Sequence, residues 1–459
     1  MMMKKAPLLL MIIAFFTLLP NIEIAEAAAP AKPVTYLTQV KVKLLPSAKF
    51  SLNISGKYQI VNLDDNSLVP LTSLVTFEQK SGKATVISNQ KTYTSSKGFL
   101  VNEIQSQEAN EVAVSAINTS SGAKKVTYRG SFEIVPGTSQ LTLFNKLDME
   151  NYLKGVVPSE MPASWSLEAL KAQAVAARSY AYRQVQASKS GYLEMTVSSQ
   201  VYGGKTAESA RSTQAVQETN GIYATYNNVP IDAYFHSSSG GYTENSENVW
   251  SGKLPYMRAV EDPYDKLPAN YHYGWESIAQ AGVVKQKLGL AAHQVLTGLK
   301  IVERGPSSGA TQMAATVYNK TTKENNSILL TPKYAATPDR YRSLFGVSLK
   351  SIKFNVYTDS AASIKLADGS VQKAPHLVGY KIKKADGTDA YMEDLNMSVR
   401  TASGSELVNT APNKITFKGD GWGHLLGMSQ WGARGMAEAG YKYDQILKHY
   451  YTGIEVKKL

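Results

Sequence analysis

The sequence predicts an α+β fold, on three observations. Residues 35 to about 145 alternate apolar and polar positions with period two. An alanine-rich stretch from about Leu167 to Ala187 repeats apolar residues at helical spacing. The remainder mixes both patterns with no internal repeat.

The chain opens with Lys4 and Lys5, an apolar run from Leu8 to Leu19, and small residues at Ala25 and Ala27. That order is the pattern of a secretory signal peptide over residues 1–27, too short in its apolar part for a confident membrane span. The expected location is therefore secreted or in the cell wall, or the outer face of the cytoplasmic membrane if the segment is not cleaved. Export with 0 cysteines excludes a disulfide framework, and 43% hydrophobic residues are enough to build an ordinary core. Net charge is +12 and stays there without the leader, because Lys4 and Lys5 leave with Glu23 and Glu26. A basic exported chain is drawn to anionic wall polymers. Nucleic acid is not expected, since no surface of interleaved aromatic and basic residues is legible.

After an Ala/Pro/Lys linker, Val40, Val42, Leu44, Leu52, Ile54, Phe132 and Ile134 mark strands. Residues 28–130 read as a β-rich region. Asp148 is placed to cap a short helix ending near Gly155, and Leu170, Ala174, Ala177 and Ala181 form a small-residue stripe on the longer helix that follows. Strand patterning returns over about 220–270. A helix is expected near "WESIAQAGVVKQKL", strands at "TGLKIVERG" and "MAATVYN", and a β-rich insertion over about 358–412. A glycine and tryptophan loop and the helix "YDQILKHYY" close the chain.

His236 and His424 are the polar centres of two loops, but one histidine each and no cysteine fall short of a zinc ligand set, so no metal and no cofactor are expected. Ser429 lacks the second glycine of a nucleophile elbow, and no phosphate-binding lysine loop is present. Glycine and serine beside aromatics suit a groove for a sugar chain. Glu160, between two prolines, has Val156, Val157, Met161, Pro162 and Trp165 as apolar neighbours that would raise its pKa towards that of a proton donor. Its position ahead of the long helix argues the other way, for an ionised carboxylate at a helix N-terminus. Composition alone favours the second role.

The segments "YLKGVVPSEMP", "LEALKAQAVAARSYA", "SQVYGG", "IDAYFHSSSGGYTENSENVW", "LPYMRAVEDP" and "GWGHLLGMSQWGARGMA" occur in this order and strongly resemble the SpoIID/LytB family over residues 131–459. The resemblance implies a peptidoglycan-acting wall protein. It also implies a lytic transglycosylase that cuts peptide-free glycan strands between N-acetylmuramic acid and N-acetylglucosamine, with Glu160 as the catalytic acid. The rival implication is a noncatalytic enhancer of a cell-wall amidase. Around Glu160, the segments carrying Arg178, His236 and His424 are expected to line one groove, with Tyr202, Ser237 and Gln430 as sugar-contacting groups. The chain departs from the family pattern at Phe345, Val347, Leu425 and Leu426. A leucine at 425 is strained if the backbone there needs a positive φ. Some relatives bind zinc through cysteines near the "FHS" loop, and this chain has none.

Overall fold

The period-two pattern builds two sheets in the computed structural model. It describes residues 38–459 apart from 45, 120, 121, 188–190, 251, 366, 367 and 385. The predicted leader lies outside the described residues. One sheet has seven strands, in the order Leu193–Glu194, Gln39–Lys43, Leu141–Asp148, Ser131–Pro136, Phe99–Glu103, Tyr58–Asn62 and Leu68–Val69. The other has six and is centred on Glu111–Thr119, Lys49–Ser55 and Leu74–Lys80. Their inner faces meet, with Phe77 and Phe99 ring centroids 5.5 Å apart. Residues on either side of position 130 share the seven-stranded sheet and a core that runs from Val40 to Val216.

The strand Leu141–Asp148 feeds directly into α1, Met149–Glu160, and the Asp148 carboxylate accepts the Glu150 N–H at 2.9 Å as its cap. The helix does not stop near Gly155 as expected. It continues through Pro158 to Glu160. Gly155 serves packing instead, since a Cβ there would lie 2.8 Å from the Tyr202 ring and 2.9 Å from the Gly204 carbonyl. Next comes α2, Leu167–Ala187, with Leu170, Ala174, Ala177 and Ala181 fully buried. The three alanines of that face let α1 and α3 (Ala210–Glu218) close on it, while Ala172, Val175 and Ala176 on another face meet the two C-terminal helices, Gln430–Glu438 and Tyr443–Tyr450.

Farther along, Trp275–Gln280 is a strand, and only Ala281–Lys287 is helical, which corrects the single helix expected there. The strand is recruited by a distant partner, Lys414–Gly419, which also pairs with Phe354–Thr358. The residues between those last two strands form three hairpins, so the β-rich segment leaves and rejoins one small sheet on neighbouring strands. Among the described residues no helix is long and apolar enough to cross a membrane.

Candidate functional site

A cavity of about 600 Å³ opens where α1 ends, bringing distant parts of the chain together. Glu160 comes from α1, Tyr180 from α2 and Val197 to Ser199 from the following loop. Tyr234 to Ser237 and Trp250 form another wall, Asp339 and Arg342 a third, and Trp422 to His424 with Gln430 the last. The two loops carrying the histidines are tied by parallel pairing of Phe235 with Met428 and His236 with Ser429, and by a bridge between Ser238 and Trp422.

Glu160 is half-buried, and burial pushes its carboxyl up to about 7. Opposing this, the Val201 N–H donates to Oε1 at 2.6 Å and the Gln430 side chain hydrogen-bonds to the carboxylate; both favour the charged form. Because α1 runs to this residue, Glu160 sits at the negative end of a helix dipole rather than ahead of a positive one. The dipole therefore reinforces the effect of burial. A carboxyl that holds its proton near neutrality is suited to donating it. Gln430→Ala removes one hydrogen bond to the charged form, so the Glu160 pKa rises. The alkaline limb of any Glu160-dependent activity is expected to move to higher pH. A pH–rate profile checks this, and an unchanged or acid-shifted limb would contradict it.

The two histidines differ in what they have to spare. His236 is buried and donates from Nδ1 to the Leu426 carbonyl at 3.0 Å, which leaves Nε2 a lone pair and no partner. His424 accepts the Leu426 N–H on Nδ1 at 3.0 Å and packs against Trp250, ring centroids 5.0 Å apart. Burial lowers both pKa values, to about 4 for His236, so both rings are neutral at pH 7. His236 thus offers the cavity a free acceptor, while His424 holds its own loop. Leu425 has φ 65°, the strained case anticipated, and is fully buried. Its burial among apolar residues, its carbonyl bond from Glu244 N–H at 2.8 Å and the His424 bond together offset a backbone cost of about 1–2 kcal/mol. Gly423, at φ 118°, allows the close approach, since a Cβ there would lie 2.7 Å from that of His236. His424→Ala is therefore expected to lower the melting temperature, because it releases this strained turn and leaves a gap beside Trp250. Thermal unfolding at native-like values would show that the imidazole is not needed to hold the loop.

Beneath the loops lies a carboxylate pair that the sequence reading passed over. Asp265 accepts Ser238 Oγ at 2.7 Å, Ser429 Oγ at 2.7 Å, Tyr273 OH at 2.9 Å and the backbone N–H groups of Ser239 and Gly240. Asp262 accepts Ser239 Oγ at 2.8 Å and Tyr450 OH at 2.9 Å; burial, then the Asp265 charge, push it up to about 7. Ser238 and Ser239 of "FHSSSGG" and Ser429 are thus spent on fixing both loops from below. None of the three bonded to these aspartates is free for nucleophilic chemistry.

Of the residues expected around Glu160, the structure brings His236, Ser237, His424 and Gln430 into its cavity. Arg178 and Tyr202 are not there. Arg178 is fully buried and forks onto Glu150, Nε to Oε1 at 2.8 Å and Nη2 to Oε2 at 2.7 Å, with the Ile222 and Val216 carbonyls also accepting. Tyr202 is buried with its hydroxyl on Asn145 Oδ1 at 2.8 Å, and its neighbour Val201 provides the bond to Glu160. Sequence reasoning missed Asp339, Arg342, Tyr180, Tyr234 and Trp250 as cavity residues. Tyr180, Tyr234 and Trp250 lie within the segments "LEALKAQAVAARSYA" and "IDAYFHSSSGGYTENSENVW" that carry the resemblance, and Arg342 lies in "YRSLFGVSLK" beside the departures Phe345 and Val347, whereas Asp339 carried no signal. Arg342 donates to Asp339 at 3.1 Å, so the cavity's second carboxylate is paired. Among the described residues no group of three or more His, Asp or Glu is arranged to hold a metal ion.

The comparisons with known proteins bear out the resemblance. Residues 137–226 match the SpoIID family, described as "Stage II sporulation protein". Over 313 residues the chain is 34% identical to the "Amidase enhancer" of Bacillus subtilis, an alignment covering 66% of this chain and 39% of that protein. Over 372 residues it is 29% identical to "Stage II sporulation protein D" of the same organism, covering 77% and 87%. An uncharacterized protein of Brachyspira hyodysenteriae is 27% identical over 426 residues, covering 92% and 91%. The chain carries a SpoIID-family domain, and its alignment spans about two fifths of the amidase enhancer's length.

Proposed function

We propose that this SpoIID-domain chain is an exported lytic transglycosylase of the cell wall, acting on peptide-free glycan strands in sporulation or wall remodelling. The observation that carries the reading is Glu160, a half-buried carboxyl raised to about 7 in a cavity rich in aromatic and hydroxyl groups. Protonated Glu160 donates to the oxygen joining N-acetylmuramic acid to N-acetylglucosamine. As the C1–O bond breaks, the muramyl C6 hydroxyl attacks C1 and gives its proton to the Glu160 carboxylate. A 1,6-anhydro ring closes and Glu160 is again protonated. The attacking group belongs to the substrate, so the second free carboxylate of a hydrolase is not required. Pairing of Asp339 with Arg342 agrees with that economy. His236 Nε2 is placed to accept from a sugar hydroxyl.

The reading is tested by incubating the chain, freed of its leader, with peptide-free glycan strands and identifying the product ends by mass spectrometry. Anhydro ends support it. Reducing ends alone indicate hydrolysis with Asp339 as the candidate base, and no products favour the second reading. That second reading, a noncatalytic enhancer of a wall amidase, is supported by the name of the Bacillus subtilis relative. It requires an amidase partner, which the transglycosylase reading does not.

A further inference from the structure

Beside the cavity, aromatic rings continue as a packed row, of which Tyr271 and Trp422 reach the surface while His272 and Trp431 are buried. Trp165 and Trp431 have centroids 4.9 Å apart, Trp431 and Tyr271 6.3 Å, Tyr271 and His272 4.2 Å, and His272 and Trp422 4.7 Å. Tyr271 is 68% exposed and Trp422 42%, although both are large and ringed. The row is continuous with the cavity at two points. Trp422 lines both, and His272 Nε2 lies 3.2 Å from the hydroxyl of the cavity residue Ser237.

Cations accompany the rings. Lys350 Nζ lies 5.2 Å from the Trp422 centroid and 6.0 Å from that of Tyr271, and among the described residues no carboxylate is within ion-pair distance of it. Arg434 lies over Trp165 and Trp431, at 5.2 and 5.0 Å. In addition, His272 is almost fully buried, yet its Nδ1 has no partner. Two exposed rings are too small a patch for a stable protein interface, which takes roughly 800 Å² per partner. They suit a narrow chain with alternating flat faces and spaced negative charge.

We propose that this row binds the part of the glycan strand that extends beyond the cavity, with Tyr271 and Trp422 stacking on sugar faces and Lys350 pairing with the lactyl carboxylate of a peptide-free muramic acid. The proposal rests on the glycan reading above, but not on cleavage. It gives the preference for peptide-free strands in that reading a physical cause at Lys350, because the lactyl group carries a free carboxylate only once its peptide is gone. Stacking and cation contributions of this kind are together worth about tenfold in affinity.

The test measures binding by calorimetry in the Glu160→Gln chain, which does not consume its ligand. The probes are a peptide-free tetrasaccharide, a peptide-free strand of about ten sugars, and a chitin oligosaccharide of the same length, which has no lactyl groups. The long strand is expected to bind more tightly than the tetrasaccharide, and Tyr271→Ala should remove that gain while leaving the tetrasaccharide affinity unchanged. Lys350→Gln should weaken the long strand but not the chitin oligosaccharide. Equal affinity for both lengths, absence of binding, or full retention of the gain in Tyr271→Ala would overturn the proposal. Equal loss from Lys350→Gln on both polymers would overturn the carboxylate assignment. If the native chain releases no products yet shows this length dependence, the cleavage reading fails and the binding surface stands; cleavage without length dependence gives the reverse.

Discussion

Glu160→Gln is expected to lower the release of anhydro-ended fragments by roughly 10²–10⁴-fold, the range in which a positioned general acid–base group contributes. The upper end is the expectation here, because in the proposed reaction the same carboxyl gives a proton to the leaving oxygen and takes one from the attacking hydroxyl. The amide keeps the size of the side chain and can still accept the Val201 N–H that now meets Oε1 at 2.6 Å, so the wall of the cavity should persist. A second readout separates chemistry from damage. The carboxyl is raised to about 7, above its value in an unfolded chain. The native state therefore holds the proton more tightly, and this group costs stability progressively as pH climbs to about 7 and fully above it. Glu160→Gln removes that cost. The variant should melt at least as high as the native chain at pH 8, with the difference shrinking near pH 4. An inactive variant that also melts lower at pH 8 would point to a structural role for Glu160. A variant with native activity would remove it from the chemistry.

How much of this was legible beforehand depended on whether the cause was local. The long helix Leu167–Ala187 was readable because its small-residue stripe is a local pattern, and Asp148 because a cap is satisfied within two residues. The end of α1 was not. Gly155 and Pro158 resemble stop signals, but Gly155 answers to Tyr202 and Gly204, whose contact the sequence does not announce. That one difference reverses the electrostatic argument for Glu160, moving it from the positive end of one helix to the negative end of another. The strand Trp275–Gln280 was likewise hidden, since its partner lies far along the chain. In the site, the two histidine loops stood out by their glycines, whereas Asp339 and Arg342 reach the cavity only through tertiary packing. The serines misled in the other direction. Ser238, Ser239 and Ser429 look chemically available in sequence and are committed to Asp262 and Asp265.

The position of Arg178 leads to the largest expected effect on stability. As a sugar-binding residue it would be exposed to the cavity, and its loss would weaken substrate affinity while sparing the fold. Its side chain is instead inaccessible, holding Glu150 in the first turn of α1 and the carbonyls of Val216 and Ile222 behind α2. Removing one partner of a buried ion pair leaves the other uncompensated, and such losses cost roughly 3–5 kcal/mol. Arg178→Ala also opens a hole in the core, so the expected outcome is unfolding at markedly lower denaturant concentration, with activity lost in proportion to the folded fraction. Since Glu150 keeps part of its surface exposed, with 22% of its side chain reaching solvent, the price of orphaning it falls at the lower end of that range. Glu150→Gln in the Arg178→Ala background removes the orphaned charge, and should return part of the loss; a double-mutant cycle measures the coupling. Native stability in Arg178→Ala together with weakened glycan binding would restore Arg178 to the groove and contradict its buried placement.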